Sequence, residues 1–117
     1  MKDPHSRGKS AKNKGADGER ELSNIFRDVY GYDTHRGMVF YHESDVVGLP
    51  GIHIECKRVE KLNVQAALEQ SVNEAQIKCD GIPTLFHRRN RKGWLVTMRL
   101  EDWMDLYGEW ACQKKDG

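Results

Sequence analysis

The stretch Ser44-Asp45-Val46-Val47-Gly48-Leu49-Pro50-Gly51-Ile52-His53-Ile54-Glu55-Cys56-Lys57 decides how this chain folds. Its β-branched residues flank Leu49-Pro50-Gly51, a turn signature, so residues 44–48 and 52–58 read as two strands of a hairpin. Side chains alternate across a strand. Ile52, Ile54 and Cys56 therefore share one face and, being apolar, point to the core. His53, Glu55 and Lys57 share the other, directed at a cleft or at solvent. Asp45, across the turn, can reach the same cleft. Two carboxylates converging there suit a hard divalent cation such as Mg2+ or Mn2+. The carbonyl of Cys56 could add a third oxygen, and Lys57 beside it could orient or help deprotonate a water. Taken alone, a Glu-x-Lys on an exposed strand and an Asp beside a turn are also ordinary surface features.

Upstream, Leu22, Ile25, Phe26 and Val29 recur at helical spacing, which predicts a helix from near Ala16 to Tyr30, ended by Gly31. Residues 34–41 read as extended or irregular. Downstream, Val64–Lys78 reads as a helix capped by Asn63 and closed by Asp80-Gly81, with Ala67, Leu68, Val72, Ala75 and Ile77 as its apolar face. Residues 82–88 and 93–98 read as strands around Arg89-Asn90-Arg91-Lys92. Residues 100–110 make a last helix with the stripe Leu100, Trp103, Met104, Tyr107 and Trp110. The order is α-β-β-β-α-β-β-α. A helix between strands 52–58 and 82–88 is a crossover, so these two can pair in parallel while the hairpins supply antiparallel pairs. The expectation is an α/β fold with a mixed central sheet flanked by helices, without internal repeats.

Glu19 adds a third acid. It precedes Leu22 by three residues and Phe26 by seven, which puts it on the apolar stripe of the first helix. A carboxylate there is costly unless paired or bound to a cation. The helix dipole offers a second explanation for an acid near a helix start.

At 117 residues the chain is long enough for one domain with a modest core. Residues 1–15 read as a flexible basic tail and 16–117 as the domain. With 32% charged residues and no apolar run of membrane-spanning length, a membrane protein is not expected, and a cytoplasmic setting is. Cys56, Cys79 and Cys112 are odd in number and widely spaced, which fits reduced thiols and not a zinc site. The net charge of +1 hides basic clusters at residues 1–18 and in His87-Arg88-Arg89-Asn90-Arg91-Lys92. Each fits a solvated tail or turn as well as a nucleic-acid contact.

The runs Lys14-Gly15-Ala16-Asp17-Gly18-Glu19-Arg20-Glu21-Leu22, Ser44-Asp45-Val46-Val47 and Ile54-Glu55-Cys56-Lys57 together resemble the PD-(D/E)xK nuclease superfamily, and within it archaeal-type Holliday junction resolvases and phage resolvase-like endonucleases. The resemblance covers roughly residues 14–110. It implies a restriction-endonuclease-like core and DNA cleavage with Mg2+, for which Mn2+ can substitute. It makes Glu19, Asp45 and Glu55 the metal-site acids, with the Cys56 carbonyl beside them, and Lys57 the catalytic lysine. Gln65 matches a functional glutamine at the start of the crossover helix, with Gln76 a weaker match. Ser44 departs from the family's usual Pro before the Asp, and the chain is short after its last strand.

The resemblance also implies branched DNA as partner and a homodimer, since two symmetric cuts need two equivalent sites; no small-molecule cofactor is expected. A phage gene would act in the cytoplasm of its infected host. The stripe Trp103, Tyr107 and Trp110 fits a dimer surface or packing on its own sheet. DNA contacts are expected mostly at phosphates, from Lys9, Lys12, Lys14, Arg20, Arg36, Arg58, Arg88, Arg89, Arg91 and Lys92. His53 stands out among the histidines because it shares a face with Glu55 and Lys57. Two other readings compete: a nuclease of this fold acting on flaps, ends or plain duplex, and an idle nucleic-acid-binding module. Three carboxylates near phosphate weigh against the module, because only a cation makes that arrangement favourable.

Overall fold

The computed structural model describes the backbone of residues 4–116 and the side chains of residues 14–115, so the side chains of Lys9 and Lys12 lie outside the described residues. Five strands, β1 (His35–Arg36), β2 (Val46–Val47), β3 (Ile52–Arg58), β4 (Ile82–Arg88) and β5 (Leu95–Thr97), form one sheet in their sequence order. The helices are α1 (Pro4–Tyr30), α2 (Val64–Lys78) and α3 (Leu100–Asp116), and a 3-10 turn spans Val39–Tyr41. The expected order is met, with β3 and β4 parallel from Ile52↔Ile82 to Arg58↔Arg88 and the other pairs antiparallel.

α2 has the expected bounds because its signals are local. The Asn63 side chain accepts from the Ala66 N–H at 3.1 Å, and Cys79, one residue before the expected Asp80-Gly81, closes the helix in the left-handed conformation at φ 52°. Other boundaries move. α1 begins at Pro4 and not near Ala16; a proline at the first helical position loses no hydrogen bond and has its φ preset. Of residues 34–41 only His35–Arg36 pair in the sheet, and β2 shrinks to two residues. β5 begins at Leu95 and not at residue 93, because the Trp94 indole is turned to Glu21 on α1, donating to Oε1 at 2.6 Å.

Helix α1 covers one face of the sheet. Leu22 and Phe26 pack there with Val46, Ile54, Cys56 and Phe86, Phe26 meeting Phe86 edge to face at 5.4 Å. The stripe is shorter than its spacing suggested. Ile25 and Val29 are exposed, and Ser23 is buried in their stead. The Ser23 hydroxyl donates to the Arg20 carbonyl and its own carbonyl accepts from the Thr34 hydroxyl, so both polar groups are satisfied. Helix α2 covers the opposite face with Ala67, Ser71 and Ala75, while Ile77 is exposed. Small residues let α2 approach β3 and β4 closely, and this covers His53 and Glu55 on the face that the alternation pattern had left open.

The aromatic stripe of α3 does not pack beneath the sheet. Trp103, Tyr107 and Trp110 each remain about half exposed, at 50, 50 and 53%. Trp103 and Tyr107 stack at 5.2 Å.

Candidate active site

β3 lies between β2 and β4 in the sheet. Ile54 and Cys56 enter the core beneath α1, as the alternation predicts. The other face departs from expectation: His53 is fully buried and Glu55 is 2% exposed, because α2 lies over them. Lys57, one step beyond, reaches solvent, and its Nζ stands 3.5 Å from Glu55 Oε1.

Asp45 precedes β2 and is fixed from two directions. Its Oδ2 accepts from the Cys56 N–H at 2.9 Å, and its carbonyl accepts from the Gly37 N–H at 3.0 Å. Gly37 is needed for that approach, since a Cβ there would stand 1.7 Å from the Ser44 carbonyl oxygen. Burial raises the Asp45 carboxyl above its usual range, opposed by the Cys56 hydrogen bond and by Lys57. Glu55 is pushed up to about 8, first by burial, then by the charges of Asp45 and Glu74, with Lys57 opposing. Glu55 Oε2 is buried without a hydrogen-bond partner. A part-buried Asp45 whose charge raises a buried Glu55 suits a bound cation, and so does the unpartnered Glu55 Oε2.

Glu19 lies on the α1 side of β3. Its Oε2 accepts from Arg36 Nε at 2.8 Å, and its charge, with that of Asp45, acts on the Cys56 thiol, which burial drives far above its usual range. The thiol belongs to the core; the Cys56 amide is the part that touches an acid. Gln65, at the start of α2, is turned along the helix to Glu69 at 3.1 Å, and no hydrogen bond among the described residues joins it to Asp45, Glu55 or Lys57.

The alternation singled out His53, but it missed three residues that the fold gathers around it. His53 Nδ1 lies 2.8 Å from Asp80 Oδ1 and 3.0 Å from Ser44 Oγ, and Ser44 donates to the other Asp80 oxygen. A carboxylate oxygen accepts, so the hydrogen-bond network places a ring proton on Nδ1, facing Asp80. Nε2 is buried, without a hydrogen-bond partner, and 4.0 Å from Glu74 Oε2 on α2. His53, Glu55 and Glu74 bring one donor atom each within 4.8 Å of one another. Glu74 was findable by the argument that found Glu19, since it follows Ala67 by seven residues and Ser71 by three. Ser44 and Asp80 join only through the β3–α2–β4 crossover.

The expected DNA-contacting cations divide into two groups. Lys14, Arg89, Arg91 and Lys92 are exposed, and the Arg58↔Arg88 register puts the 89–92 turn at the same end of the sheet as Lys57. Lys9 and Lys12 lie outside the residues whose side chains are described, and the other four have protein contacts. Arg20 pairs with Asp17 and Arg36 with Glu19, both at 2.8 Å. Arg58 packs against Gly18, where a Cβ would come within 3.0 Å of it. Arg88 binds Glu21 at 2.8 Å and lies over the Trp94 ring, with its side chain 12% exposed. Burial alone would raise Glu21, but the hydrogen bonds from Arg88 and Trp94 hold it below its usual range. No helix among the described residues is long and apolar enough to cross a membrane, and all three cysteines are free.

A mixed sheet flanked by helices, with Asp45 against a central strand that carries Glu55-Cys56-Lys57, has the architecture of the PD-(D/E)xK nucleases. The family model described as "Phage putative PDDEXK endonuclease" matches residues 10–115, and the chain belongs to that family. Among curated proteins none matches the chain at a significant level.

Proposed function

We propose that the protein is a metal-dependent DNA endonuclease that hydrolyses phosphodiester bonds in branched DNA, as a Holliday junction resolvase does. The observation that carries the nuclease reading is the part-buried Asp45 and the buried Glu55 beside Lys57. Such a pair is unfavourable alone, and a divalent cation makes it favourable. Asp45, Glu55 and the Cys56 carbonyl would hold Mg2+, with Mn2+ able to substitute and Glu19 contributing directly or through water. The ion would supply an activated water and stabilise charge developing on the phosphate.

The chain's own residues do the rest. The Cys56 N–H aims Asp45, and the Gly37 N–H fixes its backbone. Lys57 holds an ammonium where the scissile phosphate would lie. In the reaction a water oxygen bonds to phosphorus as one ester P–O bond breaks, and the departing oxygen takes a proton. A direct role for Gln65 requires its amide to leave Glu69. Lys9, Lys12 and Lys14 of α1, with Arg89, Arg91 and Lys92, would hold phosphates; Arg20, Arg36, Arg58 and Arg88 would act through their present partners.

The substrate and the second subunit rest on the resemblance to resolvases. The half-exposed Trp103, Tyr107 and Trp110 stripe, which lines one groove with exposed Val96 of the outer strand, supports a second copy as its cover. The test is cleavage of a four-way junction beside linear duplex and flap substrates, in Mg2+ or EDTA, by wild type and Glu55→Ala. Junction cleavage in Mg2+ alone, lost in the variant, is expected. No cleavage of any substrate overturns the nuclease reading. Equal cleavage of all three overturns the resolvase assignment.

A further inference from the structure

We infer that His53, Glu55 and Glu74 form a second cation site, one that takes a divalent transition ion such as Mn2+, Co2+ or Zn2+ through the His53 Nε2 nitrogen. The donor atoms of the three lie within 4.8 Å of one another. Metal–ligand bonds of about 2.1 Å put neighbouring ligand atoms about 3.0–3.4 Å apart, so the site must tighten by roughly an ångström. Glu74 can supply that movement, because its side chain is a third exposed and rises from a helix surface.

The three groups are more than a cluster of acids. His53 is fully buried, its Nε2 has no hydrogen-bond partner, and that nitrogen points into the group. Asp80 and Ser44 hold the opposite nitrogen. A carboxylate behind the far nitrogen fixes the tautomer and strengthens the ligating lone pair, as it does behind metal-bound histidines generally. Glu55 Oε2 is the second buried atom without a partner. The Lys78 ammonium stands 4.0 Å from Glu74. It would have to swing aside, which a side chain at the end of α2 can do.

One nitrogen and two carboxylate oxygens select the ion. Mg2+ prefers oxygen and water, whereas Mn2+, Co2+ and Zn2+ accept imidazole readily. Glu55 faces both Asp45 and Glu74, so it can serve as a bridge between this site and the Asp45–Glu55 pair. The inference does not depend on nuclease activity, since an inactive protein would still bind the ion.

The experiment uses the untagged full chain without DNA, titrated with Mn2+ and followed by pulsed electron paramagnetic resonance. Wild type and Asp45→Asn should both show modulation from one imidazole nitrogen. Glu74→Gln should bind the nitrogen-coupled ion about tenfold more weakly or worse, with circular dichroism melting showing that it is folded. Because Glu74 is partly exposed, this variant avoids emptying the buried His53 position. Bound Mn2+ with oxygen ligands only, or nitrogen coupling undiminished in Glu74→Gln, overturns the site. Loss of nitrogen coupling in Asp45→Asn also overturns it as a separate site, because Asp45 would then be holding the ion.

Discussion

Replacing Glu55 with glutamine should stabilise the metal-free protein in a pH-dependent way. The folded chain pushes this carboxyl from an ordinary 4.5 up to about 8. Between those values the folded state keeps a proton that the unfolded state has lost. Stability must then fall as pH rises, by about 1.4 kcal/mol per pH unit. From pH 5 to 8 this sums to about 4 kcal/mol as a ceiling, since local relaxation and water entry lower it. Asp45, raised in the same direction, adds to the slope. Glutamine keeps the shape and removes the charge, so Glu55→Gln should match wild type near pH 5 and exceed it near pH 8. At about 4 °C per kcal/mol for a chain of this size, the melting temperatures should separate by roughly 10 °C or more at the upper end. The assay is thermal unfolding by circular dichroism in EDTA at each pH, read as the difference between the two proteins. Mg2+ should then raise wild type and leave the variant nearly unmoved. A difference that stays constant across pH, or a variant less stable at pH 8, would refute the argument that Glu55 is a buried acid waiting for a cation.

Gly37→Ala should displace the Asp45 segment, because the new Cβ would sit 1.7 Å from the Ser44 carbonyl. A loss of about 3 kcal/mol and of cleavage is expected in urea melts and junction assays, and wild-type behaviour in both would count against Gly37 as a positioning residue. The basic residues near 88–92 should separate by role. Arg88→Ala removes a mostly buried partner of Glu21 and should cost about 2 kcal/mol, a figure held down because Glu21 is itself a third exposed. Arg89→Ala, Arg91→Ala and Lys92→Ala should leave stability within about 0.5 kcal/mol. Each should lower the salt slope of DNA binding by about 1, measured by fluorescence anisotropy across salt concentrations.

The local parts of this protein are written in the chain. α2 has its residue range because Asn63 caps it and Cys79 can turn left-handed at its end, both within a few residues. The β2–β3 hairpin follows from Leu49-Pro50-Gly51, and the parallel β3–β4 pair follows from having one helix between two strands. The three motifs around Glu19, Asp45 and Glu55-Cys56-Lys57 were enough to suggest the nuclease superfamily, and the family match agrees. Alternation along β3 correctly sent Ile54 and Cys56 to one face and His53 and Glu55 to the other.

Burial on that second face could not be read from the strand, because it depends on what lies above it. Ala67, Ser71 and Ala75 are small enough for α2 to settle onto β3, which covers His53 and Glu55 while Lys57 still reaches solvent. The same crossover carries Glu74 to Glu55 and sets Asp80 behind His53, joining residues up to 36 positions apart in a contact such as that of Ser44 with Asp80. Periodicity reports which face a residue takes, not which side chain from another element meets it there. Arg36 and Arg88 show this too: as sequence they are free cations, and in the fold they are partners of Glu19 and Glu21. The sequence by itself determined the elements, their order and the acids and lysine of the motif, since each depends on neighbours along the chain. Only the tertiary structure decided that Glu55 is buried, that Glu19 is paired and that His53 turns an unpartnered nitrogen toward two carboxylates, because those states depend on distances between segments that no local pattern encodes.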